Sequence, residues 1–205
     1  MRARRGGARA TGLALAALIL ATALAACTAE VPPVTRPAAT TTDSPTPAPS
    51  PTRSQPWGGL AVAVPPVPPA ALDGPGNTEN AKAVAEYFVE LYGYVFATND
   101  LTAWNALSAP DCLFCQSVRD DVNAAIEAGH HNEGGRQVIE GSVAVMVEPG
   151  VWFDTGVTVG REPTRIVDEA GTVIKERGRV SPSELRVGLR WEGGAWHVDE
   201  AASGL

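Results

Sequence analysis

The chain has 205 residues, 44% of them hydrophobic and 19% charged, enough for one core of ordinary size and short of two. Its formal charge of −7 conceals four arginines, Arg2, Arg4, Arg5 and Arg9, in the first ten residues, so the remainder carries −7 − 4 = −11. An acidic body of that kind argues against a nucleic-acid partner, which needs a basic face for polyphosphate.

The four arginines precede an uncharged run, residues 11–26, in which Leu13, Leu15, Leu18, Ile19, Leu20 and Leu24 supply the apolar character. A charged start and a short apolar run are the layout of a secretory signal. A membrane span needs about 20 apolar residues, and this run is shorter. It ends in Leu24-Ala25-Ala26-Cys27, which matches the lipobox of bacterial lipoproteins, whose cysteine takes a diacylglycerol and becomes the new N-terminus. Residues 1–26 are therefore expected to be a signal peptide, and Cys27 the lipid anchor on the outer face of the cell membrane. Two acyl chains hold a protein stably at a bilayer, since each buried methylene contributes about 0.8 kcal/mol.

Twelve of the 17 prolines fall between Pro32 and Pro69, which marks residues 27–71 as a disordered Pro/Thr/Ser-rich spacer. Polyproline geometry at ~3.1 Å per residue gives it a reach of at most about 140 Å, enough to lift a domain clear of the lipid. Apolar residues 57–64, from Trp57 to Val64, interrupt this spacer and either dock on the domain as an extra strand or stay disordered.

From residue 72 to 205 one domain is expected. Asn77 or Thr78 can cap a helix, with Glu79 placed well for the helix dipole. Ala81, Val84, Ala85, Phe88, Leu91, Tyr92, Val95 and Phe96 then recur at helical spacing, with Lys82, Glu86 and Glu90 opposite. Asn99-Asp100 ends this helix and caps a short second one, residues 101–107, containing Trp104. Ser108-Ala109-Pro110-Asp111 has the form of a capping box for a third helix, striped by Phe114, Val118, Val122, Ala125 and Ile126 and closed by Gly129.

After a polar loop, residues 130–135, the period changes to two. Ile139, Val143, Val145 and Val147 predict one strand, and Val151, Phe153, Val157 and Val159 a second. Residues 164–168 and 172–180 meet at Glu169-Ala170-Gly171 as a hairpin; Leu185, Val187, Leu189 and Trp191 form a further strand, turned by Gly193-Gly194 into residues 195–200. Helices followed by an antiparallel sheet with one apolar face make an α+β domain.

Within this domain Ala85-Glu86-Tyr87-Phe88, Tyr92-Gly93-Tyr94, Ala97-Thr98-Asn99-Asp100 and Leu107-Ser108-Ala109-Pro110-Asp111-Cys112-Leu113-Phe114-Cys115 carry a resemblance. They are similar to actinobacterial envelope lipoproteins with the domain of unknown function six-three-one-eight. The order of elements resembles the fold of nuclear transport factor two, shared with ketosteroid isomerase and the SnoaL-like polyketide cyclases, in which a curved sheet wraps helices into a cone. The family implies location and shape, and no activity.

Cys112 and Cys115 stand at the start of a helix, where their Cα atoms are about 5 to 5.5 Å apart, within disulfide range. Of three cysteines in an exported chain, Cys27 takes lipid and two remain to pair. The alternatives are a redox-active Cys-x-x-Cys and a zinc site with His130 and His131, although the motif does not follow the first strand of a βαβ unit. His197, Asp199 and Asp100 are the candidate proton carriers of an isomerase-like enzyme. Alternation, however, puts His197 and Asp199 on the face opposite Trp196 and Val198. The inward set of the sheet, Val143, Val145, Val147, Val151, Phe153, Val157, Leu185, Val187, Leu189, Trp196 and Val198, is apolar. A greasy pocket is expected among Tyr87, Phe88, Tyr92, Tyr94, Val95, Phe153 and Val187. The expected role is non-catalytic: a binding module for an apolar small molecule or an envelope protein, with no cofactor and no metal.

Overall fold

The computed structural model describes residues 62–203. The expected signal peptide, Cys27 and the spacer as far as residue 61 lie outside them.

Three helices come first. In α1, Thr78–Thr98, the Asn77 side chain accepts the Asn80 N–H at 2.9 Å. Asn99 ends the helix in the left-handed conformation, φ 60°, which asparagine tolerates better than most residues. Its Nδ2 donates to the His130 carbonyl at 3.1 Å and so ties the helix end to the first strand. Asp100 Oδ1 then accepts the Thr102 N–H at 2.9 Å and opens α2, Thr102–Leu107. The expected capping box at Ser108 is not formed, because the Ser108 hydroxyl donates back to the Trp104 carbonyl at 2.6 Å. α3, Leu113–Glu127, is capped instead by Cys112, whose sulfur accepts the Cys115 N–H at 3.1 Å. Ile126, assigned to the apolar stripe, is 49% exposed, since the last turn of α3 is open to solvent on almost every side.

The strands are β1 (His130–Gly134), β2 (Gln137–Glu148), β3 (Trp152–Arg161), β4 (Thr164–Asp168), β5 (Val173–Arg177), β6 (Val180–Glu192) and β7 (Ala195–Ser203). They form two antiparallel sheets, ordered β2-β3-β6-β7 and β1-β4-β5. Two sequence expectations change here. Residues 130–135, read as a loop, contain β1, which has no apolar alternation to betray it and is held by pairing with β4 and by the Glu133–Arg165 ion pair. The expected strand 172–180 breaks at Gly178-Arg179, where the chain passes from one sheet to the other.

The sheets are joined by a bend in one ladder. Gly135 N–H donates to the Pro163 carbonyl and Glu162 N–H to the Arg136 carbonyl, both at 2.9 Å, so pairing of β1 with β4 carries on that of β2 with β3. Gly134 and Gly135 have φ 73° and 79°, and Pro163 has no N–H to give, which lets the ladder turn here. Arg136 and Glu162 pair across the bend at 2.9 Å.

The inner face of the larger sheet corrects the expected β2. Phe153, Val157, Val187, Leu189, Trp196 and Val198 are buried as expected, but Val143, Val145 and Val147 are 65%, 63% and 60% exposed. A bulge between Ile139 and Gly141 inserts a residue and reverses the alternation. Ser142 and Ala144 face the helix instead, and the Ser142 hydroxyl donates to Glu86 Oε1 at 2.6 Å.

The core is an aromatic stack under α1. Phe88 lies on Trp104 with centroids 4.4 Å apart, and Trp104 Nε1 donates to the Cys115 carbonyl at 3.3 Å. Packed structure begins before residue 72, so the boundary drawn from the prolines is too late. Val62 is 7% exposed against Gly93, and a 3₁₀ turn, Ala70–Asp73, presents the Ala71 carbonyl to Trp196 Nε1 at 2.9 Å. Proline content marks extended backbone, which can pack as well as float. No helix among the described residues is long and apolar enough to cross a membrane.

Candidate functional site

Where α1 and α3 pass the bend of the ladder, two hollows adjoin. One, of about 320 Å³, is lined by Phe88, Tyr92, Phe114, Val159 and Leu185, with Val180, Ser183 and Glu184 at the β6 side. The other, of about 340 Å³, is lined by Phe96, Asp121, His130, His131, Asn132 and Arg177 among others. Tyr92, Gln137 and Arg161 belong to both walls.

Arg161 is the last residue of β3 and falls on the same parity as Phe153, Val157 and Val159, so the strand that builds the core also points an arginine inward at its end. Gln137 sits opposite it across the β2–β3 ladder. The Arg161 Nε–H is buried without an acceptor, and among the described residues Arg161 enters no ion pair. Buried donors are seldom left in this state. The apolar hollow has one carboxylate in its lining, Glu184, which is exposed and 3.5 Å from Arg186.

Of the seven residues expected at a pocket, the structure brings Phe88 and Tyr92 to this cleft. Val95, Phe153 and Val187 are completely buried packing residues. Tyr87 is buried, and that burial, with Glu90 nearby, pushes its hydroxyl pKa up. Tyr94 lies against residues 62–67 on the other side of α1 and donates to Asp100 Oδ2 at 2.8 Å. The residues missed were Arg161, Gln137, Val159 and Phe114. An arginine on the apolar parity of a strand was the available signal.

The candidate proton carriers have structural partners. Asp100 is held below the usual carboxylate range by hydrogen bonds from the Thr102 hydroxyl and N–H and from Tyr94. Arg190 grips Asp199 through Nε at 2.8 Å and a second nitrogen at 3.2 Å, and His197 lies beside Arg190 in register. None of Asp100, His197 and Asp199 lines the cleft. Cys112 and Cys115 are joined as a disulfide, Cα to Cα 5.2 Å, and both are fully buried, so neither offers a thiolate to zinc or to an incoming disulfide.

No curated protein matches the chain. Among solved structures it is similar to the intermembrane-space region of the chloroplast protein ARC6, at 11% identity and a TM-score of 0.49, over 62% of this chain and 95% of that one. It is also similar to the beta subunit of a protein described as an aromatic-ring-hydroxylating dioxygenase from Novosphingobium aromaticivorans, at 16% identity and a TM-score of 0.41, over 61% of this chain and 88% of that one. The model of the family of unknown function DUF6318 matches residues 59–202, which takes in every helix and strand described above except the last residue of β7, and the chain belongs to that family.

Proposed function

We propose that this protein is a membrane-anchored lipoprotein of the cell envelope, whose cone-like α+β domain works without catalysis as a binding module for an apolar small molecule. The anchor rests on the charged start, the apolar run and Leu24-Ala25-Ala26-Cys27. The spacer after Cys27 carries the domain away from the lipid, so that the module meets its ligand in the aqueous envelope.

The observation that carries the binding role is the hollow lined by Phe88, Tyr92, Phe114, Val159 and Leu185. Its volume, about 320 Å³, is at the lower end for small-molecule sites. Apolar area buried there is worth about 25 cal/mol per Å². The lining of this hollow has no histidine and no buried carboxylate, the groups that proton transfer at neutral pH uses most; His130 and His131 line the adjoining one. The carboxylates that an enzyme of the isomerase kind would use are engaged elsewhere, Asp100 in capping α2 and Asp199 with Arg190.

The test is quenching of tryptophan fluorescence in the full chain by 12-bromododecan-1-ol, a neutral apolar probe whose bromine acts at short range. Trp104 is 6.2 Å from Phe114 and 6.4 Å from Tyr92, so a probe in the hollow quenches it, while one dissolved in distant lipid does not. Ser183, exposed and opposite Val159 on the hollow's rim, is the position to block. Ser183→Phe is expected to abolish the quenching without changing the melting temperature. Equal quenching in wild type and Ser183→Phe would overturn the binding role.

A further inference from the structure

The two hollows that meet at Arg161 differ in character, and the difference selects a ligand. On one side the lining is aromatic and aliphatic; on the other it holds Arg161 and Arg177 against one carboxylate, Asp121, which is exposed. Neither arginine enters an ion pair among the described residues. The carboxylates in the two linings, Asp121 and Glu184, are both exposed and pair with neither arginine, so two guanidiniums face the cleft without an ion-pair partner among the described residues.

We propose that the cleft binds a single-chain anionic amphiphile, with its carboxylate or phosphate on Arg161 and its apolar chain between Phe88, Tyr92, Phe114 and Leu185. A guanidinium presents a planar fork of donors that fits an oxyanion bidentately. Arg161 lines both hollows, and none of the described residues forms an ion pair with its guanidinium, which leaves that fork to face the cleft. Gln137, opposite Arg161 in the ladder and in both walls, supplies an amide beside the head group. Arg177, at the end of β5 and across the polar hollow, adds a second positive charge. The parity of β3 explains why head and tail sites are joined: Val159 and Arg161 are successive inward positions of one strand, so a chain lying over the first brings its end to the second.

This inference rests on the binding role proposed above and adds the charge of the ligand, so its test compares two probes that differ only at the head. In the full chain, 12-bromododecanoate is expected to quench tryptophan fluorescence at concentrations about tenfold or more below those needed by 12-bromododecan-1-ol, the worth of one charge-assisted hydrogen-bonded contact. Arg161→Gln, which breaks no ion pair of the described residues, should erase that preference, read as the ratio of the two probes' affinities within the variant. Arg177→Gln should reduce the preference by a smaller factor. Dodecyl phosphate should compete with the bromododecanoate, and inorganic phosphate alone should not at the same concentrations.

Equal affinity for the two bromo probes in wild type, with both lost in Ser183→Phe, would overturn the anionic ligand and keep the binding role. Failure of both probes to quench wild type would overturn both. Displacement by inorganic phosphate as effective as by dodecyl phosphate would make this an anion site without a tail and overturn the amphiphile. An unchanged preference in Arg161→Gln and Arg177→Gln would likewise remove the assignment of the head group.

Discussion

Trp104 and Arg161 are opposite cases of a large side chain under the same helix. Trp104 is wholly buried, stacked on Phe88, and its indole N–H has an acceptor at Cys115. Trp104→Ala removes the stack, the hydrogen bond and the volume together, and is expected to cost about 3–5 kcal/mol in urea unfolding. Trp104→Phe should cost clearly less, because it keeps the ring contact and loses the donor. The disulfide belongs to this scale too. Cys112 caps α3 while bonded to Cys115, so the link rigidifies one helical turn and closes a very short loop. Alkylation of the unfolded, unreduced chain should label neither residue, and Cys112→Ser with Cys115→Ser should cost toward the bottom of the roughly 0–5 kcal/mol range for disulfides. Labelling of either cysteine in protein taken from the envelope would contradict the bond. The pairing was legible from three cysteines and one spacing, whereas Arg161 was not singled out, because its parity shows only when β3 is followed past Val159 to its end.

At the scale of elements, the helices were the more legible half, and the reason is the bulge. A helix that slips by one residue turns its stripe by a fraction of its circumference, but a strand with one inserted residue presents its other face. Val143, Val145 and Val147 alternate as cleanly as any buried strand, and nothing in those residues marks the insertion at Glu140. Replacing Val143 and Val145 by threonine is therefore expected to change stability by no more than about 0.5 kcal/mol in total, the scale of ordinary surface substitutions. The same replacement at Val157 and Val187, which alternate no more conspicuously, should be severely destabilising because each puts a hydroxyl into the closed core. β1 was illegible for a different reason: His130 to Gly134 are polar, and backbone pairing alone makes them a strand. The junction of α1 with α2 is where a pH effect is expected. Thr102 and Tyr94 donate to Asp100, so its folded pKa lies below the unfolded value of about 3.9. Between the two values the unfolded chain binds more protons, so the stabilisation is complete above the unfolded pKa and is lost as pH falls through the folded one. Asp100→Asn should accordingly flatten the fall in melting temperature below about pH 4 relative to wild type, while Glu162 and Asp168, also held low, keep their share of the slope in both proteins.

Across the whole molecule, residues 62–203 fold as described, and the stretch before them is the one proposed to address the protein. The bent ladder, the cleft beside it and the order of helices before strands all lie within residues 62–203, while the expected anchor lies at residue 27. The two parts make independent demands, since a domain that binds a soluble amphiphile has no need of an acyl chain, and an acyl chain holds whatever follows it. The anchor therefore needs a test of its own. Intact mass of protein extracted from the membrane fraction is expected to show loss of residues 1–26 and the addition of acyl mass at Cys27, with a mature chain starting at that residue. Cys27→Ala removes the thiol proposed to accept the diacylglycerol, so the variant should leave the membrane fraction or keep its first 26 residues. The domain should be indifferent to that change: the melting transition of Cys27→Ala should match wild type, because the core residues described above all lie between 62 and 203. Wild-type protein found in the cytosol with Met1 retained and no added mass would remove the anchor and the envelope location, and would leave the cleft and its proposed ligand standing.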